Sequence, residues 1–176
     1  MKAFMDRPSS VNSSDDFAEK LSTEYDNLVK RGGDTINKVA VEKGNKDLMN
    51  TLIKITLEKN LSNSGQSSII SDLGDAFKAY WSGATMNRFP IPITPATGAI
   101  QNIQTTSGTV TNTGKWTPEN SNTPPSNTTD LFLNQLISYI QIHLTTVAGI
   151  FQTVSLYPPS GTPSAGVVQW QGYTIN

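Results

Sequence analysis

Apolar residues recur at three- and four-residue intervals through the first half of the chain. Phe17, Leu21, Tyr25, Leu28 and Val29 share one face of a helix that starts at Ser13 or Ser14. A hydroxyl there caps free backbone N–H groups, and Asp15 and Asp16 suit the positive helix end. Gly32-Gly33 stops it. Asp34 is expected to cap a short second helix carrying Ile36, Val39 and Ala40 and closed by Gly44. From Asn45 a third helix carries Leu48, Met49, Leu52, Ile53, Ile55, Leu57 and Leu61 on a broad stripe. A fourth, over 67–82, carries Ile69, Ile70, Leu73, Ala76, Phe77, Tyr80 and Trp81, and Gly83 supplies a left-handed stop. Short amphipathic helices gain stability only by packing on one another. Residues 14–83 are therefore expected to form a helical region behind an N-terminal arm, 1–13.

The pattern then changes. Phe89-Pro90-Ile91-Pro92-Ile93-Thr94-Pro95 alternates proline with bulky residues, which forces an extended course at a sheet edge. Two short strands are expected around Ser107-Gly108, with Thr109-Val110-Thr111 the clearest strand signal, and 117–129 is too polar and proline-rich to fold alone. Residues 84–130 thus read as a proline-rich extended or β insertion. Leu133, Leu136, Ile137, Ile140, Leu144, Val147, Ala148 and Phe151 follow helical spacing, so one long helix is expected over 131–157. The last segment, 158–176, pairs a proline-glycine bend with a strand in which Val168 and Trp170 face one way and Val167 and Gln169 the other. The expected fold is α+β and mainly helical: an N-terminal helical body, a proline-rich β insertion, a long late helix and a C-terminal strand arm, in one domain with arms.

Charge sharpens this division. Only 15% of the 176 residues are charged, against roughly 25% in an average soluble protein. Of 13 basic and 14 acidic residues, only Lys115, Glu119 and Asp130 lie beyond Arg88. A charge-poor half is expected to be buried against neighbouring subunits, with the charged helices facing solvent. A net charge of -1 gives no concentrated basic surface for nucleic acid. The first residues hold no hydrophobic core of signal-peptide length, so export by that route is not expected. The 131–155 segment is interrupted by Asn134, Gln135, Ser138, Gln141 and His143, which leaves no apolar run of membrane-spanning length.

Reactive chemistry is sparse. There is no cysteine and one histidine, His143, which removes thiolate nucleophiles and most metal and acid–base schemes; no cofactor is expected. The nucleophile elbow, the phosphate loop and the dinucleotide-binding turn are all missing from the sequence. Asp15, Asp16 and Glu19, and likewise Asp72 and Asp75, read as helix-end and solvated-face residues. Asn12-Ser13-Ser14 and Asn127-Thr128-Thr129 match the glycosylation pattern by chance in an Asn/Ser/Thr-rich chain. What stands out is a set of large apolar side chains suited to anchoring a core or a subunit interface: Tyr80, Trp81, Phe89, Trp116, Leu144, Phe151, Trp170 and Tyr173.

Two segments carry a resemblance. The first is Phe77-Lys78-Ala79-Tyr80-Trp81-Ser82-Gly83-Ala84 running into Pro90-Ile91-Pro92-Ile93-Thr94-Pro95-Ala96-Thr97-Gly98; the second runs from Leu156-Tyr157-Pro158-Pro159 to Trp170-Gln171-Gly172-Tyr173. Together they resemble small virion structural proteins of tailed, myovirus-like bacteriophages and of some large double-stranded DNA viruses. The resemblance implies a multi-copy, non-enzymatic part held by extended arms: a capsid or minor capsid, neck, or tail or baseplate component assembled in the host cytoplasm. Its expected partners are itself and other virion proteins. Two alternatives use the same residues: a membrane-active protein inserting helix 131–155, and a host-glycan-binding module using Trp116, Trp170 and Tyr173.

Overall fold

Ser14 opens helix α1 (Ser14–Arg31), which buries Ala18, Leu21, Ser22, Tyr25 and Val29 on the stripe that the spacing predicts. The computed structural model describes residues 14–62, 69–93, 101–117, 129–155 and 165–175. The expected arm 1–13, most of the polar loop 117–129 and the bend at 158–164 lie outside the described residues. Helix α2 (Lys46–Ser62) and helix α3 (Ile69–Trp81) follow, and α3 buries Ile70, Leu73, Gly74, Ala76, Phe77, Tyr80 and Trp81. Gly83 stands at φ 74°, the left-handed stop expected of it.

The short helix expected after Asp34 is not formed. Strand β1 (Gly33–Asp34) leads through a turn into strand β2 (Val41–Lys43). Asp34 does cap, but it caps a turn. Its Oδ1 accepts from the N–H groups of Ile36 (3.0 Å) and Asn37 (2.6 Å), and its Oδ2 from that of Val39 (2.9 Å). A carboxylate that satisfies three nearby donors offers the backbone an alternative to helix, and Lys38, at φ 59°, completes the bend.

The remainder is a largely antiparallel sheet. Strands β3 (Thr85–Met86) and β4 (Pro90–Ile93) face β6 (Gly108–Thr113) and β5 (Gln101–Thr105) in one unbroken register: Thr85 opposite Thr109, Met86 opposite Gly108, Pro90 opposite Gln104, Ile93 opposite Gln101. The strands expected on either side of Ser107-Gly108 are thus collinear halves of one edge-to-edge ribbon. Both lie against β7 (Val147–Ser155), whose other edge takes β8 (Ala165–Gln171) in a register running from Ala148 opposite Gln171 to Val154 opposite Ala165. β2 closes the far side against β3, and β9 (Tyr173–Thr174) pairs with β1 as a separate two-stranded sheet.

β7 corrects the expectation of a helix over 131–157. Helix α4 (Thr129–Thr146) stops after Thr146, where the Thr145 and Thr146 hydroxyls donate to the carbonyls of Ile142 and His143 (2.7 Å each) and finish the last turn. Beyond it, Val147, Gly149 and Phe151 are buried while Ala148 and Ile150 are half-buried and Gln152 is exposed, the two-residue period of a strand. Val147, Ala148 and Phe151 also satisfy a helical spacing. Ladders available on both edges decide for the strand.

Candidate assembly surface

Helix α3 packs on β6, α1 on β2 and α4 on β9, while α2 lies against α1 and α3, and the large anchors gather between helices and strands. Tyr80, Trp81, Leu144, Phe151, Trp170 and Tyr173 are each at most 2% exposed; Phe89 and Trp116 are half-buried. Tyr25 meets Phe77 and Tyr80 edge-on at 5.0 Å, Trp81 meets Tyr173 at 5.0 Å, and Phe89 meets Phe151 at 4.8 Å. Trp116 stacks on Phe77 at 5.1 Å and 6°. These residues are spent inside the chain. Three rings able to form a glycan-stacking platform are not offered at the surface, since Trp170 and Tyr173 are buried and Trp116 is covered by Phe77.

Their polar ends are tied down as well. The Trp81 indole N–H donates to the Tyr25 hydroxyl (3.0 Å), and the Tyr80 hydroxyl donates to Asp26 Oδ1 (2.7 Å). The Tyr173 hydroxyl donates to the Val29 carbonyl (2.6 Å) and accepts from the Val41 N–H (3.1 Å), joining the end of α1 to β2. Burial pushes the Tyr25 and Tyr80 hydroxyls far above the usual phenol range, and Tyr173 up to about 12. None is placed to trade a proton near neutrality. His143 is fully buried with its Nδ1 3.3 Å from the Lys115 carbonyl and its Nε2 without a partner among the described residues; burial pushes it down to about 4. Among the described residues, no three His, Cys, Asp or Glu side chains are grouped to hold a metal ion.

One cavity of about 490 Å³ lies between α1, α4 and the C-terminal strand, lined by Leu28, Ile137, Ile140, Leu144 and Ile175 with Gln141, Thr145 and Thr174. Tyr173 is its titratable neighbour, and that hydroxyl is already bonded on both sides. The cavity offers shape and apolar contact, and among the described residues no carboxylate, histidine or amine lines it.

The surface itself is divided by charge. Asp16–Lys20 (2.8 Å), Asp26–Lys30 (2.7 Å), Glu19–Lys46 (3.1 Å), Asp15–Lys54 (3.1 Å), Asp72–Lys59 (3.3 Å) and Asp75–Lys78 (2.6 Å) all lie on α1 to α3. The outer face of the sheet is different. The positions turned away from the helices are Thr109 and Thr111 on β6, Ala148, Ile150 and Gln152 on β7, and Val167, Gln169 and Gln171 on β8. None carries a charge, and Val167 is 58% exposed. Ile36, 63% exposed, overhangs a shallow depression of about 380 Å³ in this face. The alternation expected in 167–170 is the one found. The sequence placed the uncharged half correctly but gave no sign that its exposed part is one continuous sheet face, because that depends on the strand 147–155.

The chain matches no protein family, no curated protein and no solved structure with which it was compared. Among the described residues, no helix is long and apolar enough to cross a membrane.

Proposed function

We propose that this chain is a non-enzymatic structural component of a virion, a capsid or minor capsid, neck, or tail or baseplate part, acting by multi-copy assembly through its uncharged sheet. The observation that carries this reading is the charge-free outer face spanning β6, β7 and β8, on a molecule whose ion pairs, among the described residues, lie on the helices. A protein that works alone in water gains solubility from charge spread over its surface; a face of Thr, Gln, Ile and Val is suited to hydrogen-bonded and apolar contact with another protein. The finer fold reading, a helical body that presents the proline-flanked β region to its neighbours, belongs to the same proposal. Its partners are further copies of itself and other virion proteins, and it assembles in the host cytoplasm. Buried hydroxyls and a buried, neutral imidazole support the absence of catalysis.

Sedimentation velocity of the full chain over a concentration series tests the reading. More than one copy per particle is expected. Thr111→Lys combined with Gln152→Lys, both on exposed outer-face positions, is expected to weaken that association at least tenfold with the thermal midpoint unchanged. A chain that stays at one copy throughout the series overturns the reading.

A further inference from the structure

Sheet edges differ in how they are guarded. The edge formed by β2 and β4 is broken up: β2 has three residues, a register shift between Val41 and Lys43, and exposed Glu42 and Lys43, while β4 carries Pro90 and Pro92, which lack an N–H. Short, charged, bulged and proline-bearing edges are the ordinary means of refusing another strand. β8 has none of them. It is seven residues long, Ala-Gly-Val-Val-Gln-Trp-Gln, in an unshifted register with β7, with no proline and no charge.

Backbone directions on β8 follow from its ladder. The Gly172 N–H donates to the Val147 carbonyl (2.8 Å), so Trp170 and Val168, at two-residue steps from it, also turn their backbone groups toward β7. Val167, Gln169 and Gln171 turn theirs outward. The Gln171 carbonyl is taken by the Thr35 hydroxyl (2.5 Å), and Thr35 N–H donates to the Gly172 carbonyl (3.0 Å), so the turn after β1 closes that end of the edge. The groups of Val167 and Gln169 have no partner among the described residues.

We infer that β8 is the pairing edge for a second copy of this chain, the two β8 strands running antiparallel about a two-fold axis beside Val168, with Val167 opposite Gln169 of the second copy. This register uses the outward N–H and C=O groups of those two residues; because Thr35 holds the edge at Gln171, the paired stretch is confined to 167–169 of each copy. The occupant is a second copy because the strand is its own complement: uncharged against uncharged, with equal numbers of donors and acceptors. A head-to-tail arrangement would need the β2 and β4 edge, which is charged, bulged and interrupted by proline, so the contact closes as a two-fold pair. The outer faces of both copies then join into one uncharged surface. This contact rests on the assembly reading above and specifies its first step.

Strand pairing of this size alone is smaller than the roughly 800 Å² per partner of a standard stable interface, so the association is reversible and is read over concentration. The test uses two full-length variants at exposed positions: Val167→Lys with Gln169→Lys, and Val167→Glu with Gln169→Glu. Each alone is expected to lose the two-copy species by at least tenfold in dissociation constant, and mixing the two is expected to restore it. Circular dichroism and the thermal midpoint of each variant confirm that the fold is kept. Wild-type association that persists in both variants, or loss in both without restoration on mixing, overturns the β8 contact. Association of the wild type that persists in both variants leaves the assembly reading standing; a wild type that remains single over the whole series overturns both.

Discussion

His143 is held neutral by its surroundings. Burial is the main cause; the Lys115 carbonyl opposes it, and the positive charge of Lys78 adds a smaller push in the direction of burial. The folded imidazole protonates at about 4, the unfolded one at about 6.5, so the unfolded chain takes up the proton first as pH falls. Stability should therefore be full above the unfolded value and decline between pH 6.5 and 4, by about 1 to 3 kcal/mol in total. Urea unfolding at stepped pH measures this, and His143→Phe should flatten the slope above pH 4.5, where few carboxylates titrate. A second residue-scale expectation concerns Gly74. A Cβ there would run into the Trp116 indole, which stacks on Phe77 and donates its N–H to the Ile70 carbonyl (2.9 Å). Gly74→Ala is expected to lower stability by about 1–3 kcal/mol, with a red shift of tryptophan emission as the ring is displaced.

At the scale of elements, a single carboxylate decides the course of 33–43. Asp34→Ala removes a buried carboxylate and leaves the N–H groups of Ile36, Asn37 and Val39 without their acceptor, the last of them buried, and about 1–3 kcal/mol of stability should be lost in denaturant unfolding. The Asp side chain was legible in the sequence as a cap; whether it caps a helix or a turn was not, because the segment on either side of the turn is claimed by contacts more than a hundred residues away, Gly33 and Asp34 by pairing with Thr174 and Tyr173 and Val41 through its N–H to the Tyr173 hydroxyl. The same limit explains 147–155. Its spacing serves a helix or a strand, and only partners on two edges, β6 and β8, settle the matter. Elements whose stripe is wide and whose ends carry local signals, α1 and α3, were readable from the start. The neutral second half was readable as composition, and its outer face was not, since a face exists only once the register of four strands is known.

Across the whole molecule, charge is sorted by layer. The ion pairs on α1 to α3 are partly exposed, and such pairs contribute little and are screened over a length of about 10 Å at 0.1 M salt. The outward positions of β6, β7 and β8 hold no charge for salt to screen. An assembly made through β6, β7 and β8 should therefore be indifferent to ionic strength, whereas one made through the helices should weaken as their charges are masked. Sedimentation in roughly 0.05 M and roughly 1 M sodium chloride separates the two, and the dissociation constant is expected to change by less than about threefold. Ammonium sulfate, which strengthens apolar burial by exclusion from protein surfaces, should tighten it. Dissolution of the assembly at high salt would put the contact on the helical layer instead. It would also leave the exposed Val167 and Ile36 without an assigned role.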